Sequence, residues 1–296
     1  MRAVVVTTFG GPEAVRVVET EIPEPGARQV RIKVAAASLN PVDAGVRAGA
    51  FGGAGKQLGL GWDVAGTVDA VGAAGAWRVG DEVIALHHAM GRPLGTHAEY
   101  VVADADAVAK APAGVDAAHA ATLPLNALTA VQALDLMELT PGQALLVTGA
   151  AGAVGGFAVQ LAAQRGISVT ALARPADEEF VRALGAAEFT SEGVAAASVD
   201  AVLDAAVLGA RALTWVRDGG AFTGVIPQAA PAPERGVRTG AVEVTADGTR
   251  LTELVALVEK AVLTLRVAGT YPLADAATAH ARLAEGGVRG RLVLVP

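Results

Sequence analysis

The sequence predicts an α/β protein in two parts, a β-rich unit followed by a parallel sheet flanked by helices, and three observations predict it. From Met1 to about Ala111, short β-branched runs alternate with Gly and Pro turns. From about Val115, strand-like text alternates with helical periodicity. Within that second half, Ala144–Gly156 runs apolar, breaks into glycines and then turns helical, the order of a strand, a tight turn and a helix.

Composition bounds the possibilities. A chain of 296 residues is long enough for two domains of ordinary size, and 52% hydrophobic residues make it globular. A net charge of −7, with no Lys/Arg cluster, argues against nucleic acid as a partner. The absence of cysteine removes disulfides, thiol nucleophiles and every cysteine-based zinc site. Met1–Thr7 holds one basic residue and a β-branched run too brief for a signal peptide, so a cytoplasmic location is expected.

In chain order, strands are expected at Arg2–Thr7, Val15–Glu19, Val30–Ala36, Val64–Val71, Glu82–Leu86 and Ala98–Val102. Turns at Gly10–Pro12, Pro23–Gly26 and Gly72–Gly75 punctuate them, which suggests a small barrel. His119–Leu139 reads as helix, broken at Pro124. Leu145–Thr148 reads as a buried strand, followed by Val154, Phe157, Ala158, Leu161 and Ala162 at helical spacing. Ser168–Ala173 is a second strand, and a helix from Pro175 to Leu184 stops at Gly185. Short strands follow at Glu188–Thr190, Ala201–Asp204 and Ala221–Val225, and residues 191–198 leave space for two helical turns at most. A last strand is expected at Val242–Ala246. An amphipathic helix should then span Leu251–Leu265, with Leu254, Val255, Val258 and Val262 on one face. Arg291–Val295 is β-like again and should fold back onto the first unit.

The turn carries the chemistry. Ala150, Gly152 and Gly155 stand where a dinucleotide-binding turn places its three small residues, and Ala153 and Val154 open the helix. Small residues there let backbone N–H groups approach a pyrophosphate at a helix N-terminus. The uncharged span Ala144–Gln164 could also read as a membrane helix, but its glycines and Gln160 suit a turn better. No membrane association is expected. The next strand ends Ala173-Arg174-Pro175, without the carboxylate that an NAD site carries about 20 residues past the glycines. A guanidinium there would pair with a 2′-phosphate, so NADPH is the expected cofactor; the alternative is that Arg174 is an ordinary surface charge.

Seven short motifs occur in order: Ser38–Asp43, Gly61–Val68, Val79–Val83, Gly95–Tyr100, Leu123–Ala130, the turn at 149–156, and Gly287–Leu294. Through them the whole chain resembles the medium-chain dehydrogenase/reductase superfamily, within it the zinc-independent quinone oxidoreductase branch. The resemblance implies a GroES-like β-barrel catalytic domain, 1–114 with 267–296, and a Rossmann domain over 115–266 with a six-stranded parallel sheet. It also implies an NADPH-dependent oxidoreductase that delivers hydride to a quinone or an activated α,β-unsaturated carbonyl, working as a homodimer.

The zinc-dependent relatives hold their catalytic metal on cysteine and histidine where this chain has Asn40 and Trp62. Neither suits zinc, the adjacent His87 and His88 diverge on a strand, His97, His119 and His280 are scattered, and no metal is expected. By resemblance Asn40 lies near the nicotinamide ribose and the substrate oxygen, as the catalytic residue. Asp43 holds its loop, Thr129 lies near the carboxamide, and Ala205, Ala206 and Val225 border the ring. Asn40 could instead bond its own backbone, Thr129 its own helix, and the strand-end residues could simply fill the sheet. The segment Ala44–Gly53 reads as a tyrosine-free loop and Gly49–Gly61 as a mobile one. Phe51, Trp62 and His87 are therefore expected to wall the substrate pocket, with His87 as a candidate proton donor. Two other functions fit the same text, an enoyl-thioester reductase and a non-catalytic NADPH-binding sensor or scaffold. The edge strand at Val242–Ala246 is the expected dimer contact.

Overall fold

A computed structural model describes residues 1–73, 77–88 and 90–296. The turn expected at Gly72–Gly75 falls partly outside these residues. The chain divides into two compact units, Met1–Leu125 with Thr245–Glu259 and Leu265–Pro296, and Asn126–Val244 with Lys260–Thr264.

The first unit opens with β1 (Arg2–Val6), β2 (Arg16–Glu19), β3 (Gln29–Leu39), α1 (Pro41–Ala48), β4 (Leu58–Gly59) and β5 (Asp63–Val71). It continues through β6 (Glu82–Leu86), β7 (Tyr100–Asp104), β8 (Val108–Lys110) and α2 (Ala117–Ala120). β3 is the spine: its first half pairs antiparallel with β5 and β7, and its end pairs with a C-terminal strand. Val30, Ile32, Val34, Val64, Val68 and Val83 close one core of this unit. At 0% exposure, Ile32 contributes roughly 1.5–3 kcal/mol by leaving water.

The expected loop after Asn40 is instead the helix α1. Pro41 occupies its first turn, Asn40 caps it and Gly49 ends it at φ +85°. Within the stretch read as mobile, Leu58–Gly59 forms β4 against β1.

The second unit holds α3 (Pro124–Met137) from Asn126 onward, then β9 (Ala144–Thr148), α4 (Ala153–Gln164), β10 (Ser168–Leu172) and α5 (Glu178–Ala183). β11 (Glu188–Thr190), β12 (Val199–Asp204), α6 (Ala210–Leu213), β13 (Val216–Gly224) and β14 (Arg238–Ala241) follow. The six strands form one sheet in the order β11-β10-β9-β12-β13-β14, every pair parallel. This is the doubly wound order, reversing beside β9, so that the ends of β9 and β12 frame a crevice. The span 191–198 contains no helix.

Two expectations in this region are corrected. The strand expected at Val242–Ala246 is not one: the edge strand is β14, which pairs Arg238–Ala241 with Ala221–Gly224. Alternation favoured the Val-Glu-Val-Thr text, but register with β13 selected the Arg-Thr-Gly-Ala stretch before it. The helix expected over Leu251–Leu265 is α7, Gly248–Glu259, so Val262 lies beyond it. A Cβ on Gly248 would meet the Val108 carbonyl oxygen, so α7 is seated on the first unit.

The tail returns through β15 (Val267–Pro272), α8 (Ala276–Ala284) and β16 (Arg291–Val295). β16 sets Leu292 opposite Leu39 of β3. Leu39, Leu60, Leu273, Ala276, Ala279 and Leu292 share a second core. Among the described residues no helix is long and apolar enough to cross a membrane.

Candidate active site

In the second unit the glycine-rich turn leaves β9 through Gly149, whose φ of +59° is the left-handed conformation the turn needs. Ala150 is therefore acceptable where the fingerprint has its first glycine: the reversal falls one residue earlier, and the buried Ala150 donates its N–H to the Leu172 carbonyl. Gly152 is the N-cap of α4, with Ala153 and Val154 in its first turn. A Cβ on Gly155 would lie 2.3 Å from the Gly149 oxygen, whereas one on Gly152 would lie 3.0 Å from that oxygen. Gly155 thus allows helix and strand to meet closely. Gly152 keeps the space above the helix N-terminus, where backbone N–H groups and the helix dipole favour a phosphate.

Arg174 lies two residues past the end of β10. Its Nε donates to Asp177 Oδ2 at 2.8 Å, so the buried Asp177 orients a guanidinium that remains 61% exposed. Ala205 and Ala206 follow β12, and Val225 follows β13, at the same end of the sheet. Thr129 is a buried residue of α3. Two side chains that the sequence reading passed over stand beneath the turn: Thr148 donates its hydroxyl proton to Asp204 Oδ1 at 2.6 Å. Only their positions as last residues of two apolar strands marked them in the sequence.

In the first unit Asn40 is 1% exposed. Its Nδ2 donates to Asp63 Oδ2 at 2.6 Å, and its backbone N–H to Asp43 Oδ2 at 2.8 Å. Asp43 also accepts from the Gly61 N–H, so it holds the loop ahead of Trp62 as well as the cap of α1. Burial pushes Asp63 up to about 7, against the hydrogen bonds from Leu125 and Asn40, which favour its charge. Burial likewise raises Asp43. The half-buried Arg291 guanidinium, drawn down to about 10 chiefly by desolvation, partly offsets both acids.

Of the three residues expected to wall a pocket, Trp62 and His87 lie together. Trp62 is buried, and its carbonyl accepts the His87 N–H at 2.7 Å, so those two are neighbours. The aromatic partner of Trp62 is His88, edge-on with centroids 4.9 Å apart. The Phe51 ring lies over Gly45 of α1, and among the described residues no ring contact joins it to Trp62 or His87. Burial, with Arg92 adding repulsion, draws His87 down to about 4. His87 is therefore neutral at pH 7, which removes the motive for reading it as the proton donor.

Histidines dispersed in sequence do meet. The His97 and His280 rings lie 6.5 Å apart, and Arg47 Nη1 is 3.3 Å from His280 Nδ1. Yet among the described residues no group of three or more His, Asp or Glu side chains could hold a metal ion.

Two family models match, the GroES-like domain of alcohol dehydrogenases over residues 26–113 and the zinc-binding dehydrogenase domain over residues 175–294. The second description implies a metal that the residues here do not fit: Asn40 offers only a neutral amide oxygen, and the Trp62 indole offers no lone pair. The NADPH-dependent alkenal/one oxidoreductase of Arabidopsis thaliana is 34% identical over 313 residues, spanning 100% of this chain and 80% of that one. The quinone oxidoreductase structure from Coxiella burnetii superposes with a TM-score of 0.89 at 30% identity, covering 100% and 99% of the two chains. A mycobacterial protein complexed with NADPH superposes with a TM-score of 0.85 at 28% identity over the full length of both.

Proposed function

The chain belongs to the medium-chain dehydrogenase/reductase superfamily, in its zinc-independent quinone oxidoreductase branch, and from that premise we propose that it uses NADPH to reduce quinones or activated α,β-unsaturated carbonyls. The observation that carries the reading is the turn at Gly149–Gly155 opening α4, with Arg174 two residues past the end of the neighbouring strand β10. The turn and the α4 N-terminus hold the pyrophosphate. Arg174, oriented by Asp177, pairs with the 2′-phosphate through the donors that Asp177 leaves. Ala205 and Val225 are small enough to admit the nicotinamide ring beside them.

Bound NADPH supplies hydride. Asn40 and Trp62 offer no cation to polarise a carbonyl, so the favoured acceptors spread the developing negative charge by conjugation. Quinones and enones do this. Neutral, buried His87 is a poor acid, which leaves solvent as the source of the proton. Asn40 orients substrate and nicotinamide ribose, and Thr129 the carboxamide. Functionally, residues 1–114 with 267–296 form the catalytic domain and 115–266 the cofactor domain. The exposed edge of β14 supports self-association about a two-fold axis, with a sedimentation mass of two chains as the expected result.

The test follows oxidation of NADPH and NADH by the purified protein with 1,4-benzoquinone, 9,10-phenanthrenequinone and a simple enone, with and without chelator. Turnover selective for NADPH and indifferent to chelator is expected. NADPH binding without reduction of any acceptor would overturn the reductase reading in favour of a sensor. Turnover abolished by chelator would overturn the zinc-free one.

A further inference from the structure

Thr148 and Asp204 end adjacent strands, opposite each other in register. Their side chains form a closed set of bonds. Thr148 Oγ1 donates to Asp204 Oδ1 at 2.6 Å and accepts from the Ala206 N–H at 2.9 Å, while Asp204 Oδ2 accepts from the Gly209 N–H at 2.8 Å. Thr148 is 0% exposed and Asp204 2%.

The segment tethered at both ends is strained between its anchors. Val207 sits at φ +58°, a left-handed conformation that a β-branched residue rarely adopts, and the residue is 40% exposed, so packing does little to compensate. Such a conformation persists where surrounding bonds over-determine it, and it clusters at functional sites. The segment also abuts the glycine-rich turn: a Cβ on Gly149 would lie 3.3 Å from the Ala206 nitrogen and 3.4 Å from the Ala205 carbonyl carbon. An ordinary surface connection requires neither a buried carboxylate nor a left-handed valine.

We infer that Thr148 and Asp204 are positioning residues for the nicotinamide end of the cofactor, holding Ala205–Gly209 in a strained, pre-set shape against the turn. This rests on the NADPH reading above. Ordering the segment in advance removes its entropic cost from cofactor binding and fixes the wall against which the reactive ring lies. The adenosine end, held near Arg174 after β10, gains nothing from it.

The asymmetry supplies the test. Binding of NADPH and of 2′,5′-ADP, which carries only the phosphorylated adenosine end, is measured by calorimetry for the wild-type protein, Thr148→Val and Thr148→Ser, with quinone turnover alongside. Thr148→Val is expected to weaken NADPH about tenfold, the scale of one lost hydrogen bond to a charged network, and to leave 2′,5′-ADP within about twofold. Thr148→Ser should restore NADPH affinity. The exposed variant Val207→Gly, which folds without cavity or lost bond, should keep or raise Tm yet lower turnover. Equal weakening of both ligands by Thr148→Val, or no weakening of either, overturns the inference, as does Val207→Gly with unchanged turnover. A wild-type protein that holds neither ligand overturns the cofactor reading, and this inference with it.

Discussion

Asn40 Nδ2 and Asp63 Oδ2 stand 2.6 Å apart in the interior, and the other oxygen of Asp63 accepts the Leu125 N–H at 2.6 Å. One buried carboxylate thus ties the cap of α1 to the first turn of α3. Asp63 is raised from 3.8 to about 7, first by burial and further by Asp43. The folded state therefore holds this proton more tightly than the unfolded chain. The stabilisation is full below pH ~4 and is lost as pH rises through about 7, by up to about 4 kcal/mol.

Asp63→Asn removes that titration. The stability of the variant relative to wild type should rise between pH 4 and 7 and level off above, whatever its absolute value. Urea denaturation at a series of pH values measures this difference. A flat difference would show that Asp63 titrates normally.

His280 titrates with the opposite sign. Burial, then His97 and Arg47, draws it down to about 3, so the unfolded chain takes up the proton first and stability falls as pH drops from about 6.5. His280→Gln should flatten that acid limb. Thermal melts at pH 4 and 7 should show a smaller gap between the two temperatures for the variant.

The two glycines of the turn should fail differently. Gly155→Ala forces a methyl group to 2.3 Å from the Gly149 oxygen and should cost about 2 kcal/mol or more of stability. Gly152→Ala has only a 3.0 Å contact to relieve, so it should melt close to wild type while NADPH affinity falls about tenfold or more. Circular dichroism melts and fluorescence titration with NADPH distinguish the two outcomes.

Arg174→Ala should raise the KM for NADPH about tenfold or more and leave the KM for NADH unchanged, because only the 2′-phosphate uses the guanidinium. Equal effects on both cofactors in steady-state assays would return Arg174 to the role of a surface charge held by Asp177.

Features that depend on neighbours a few residues apart are legible in the sequence alone. The Gly152 and Gly155 spacing, the apolar run at Leu145–Thr148, the Pro175 start and the β-like tail at Arg291–Val295 are local signals, and the structure places a turn, strands and a helical start at each. Tertiary structure decided what depends on a partner far along the chain. β14 formed at Arg238–Ala241 because β13 offered its edge in that register, and α7 went to the first unit because Gly248 fits under the backbone near Val108. Thr148 met Asp204 once their strands were aligned, and Asn40 met Asp63 and His97 met His280 once strands, helices and loops far apart in sequence were packed together. Periodicity marks such positions as buried. Which buried acid faces which donor is set by strand register and desolvation, quantities that exist only in the folded chain.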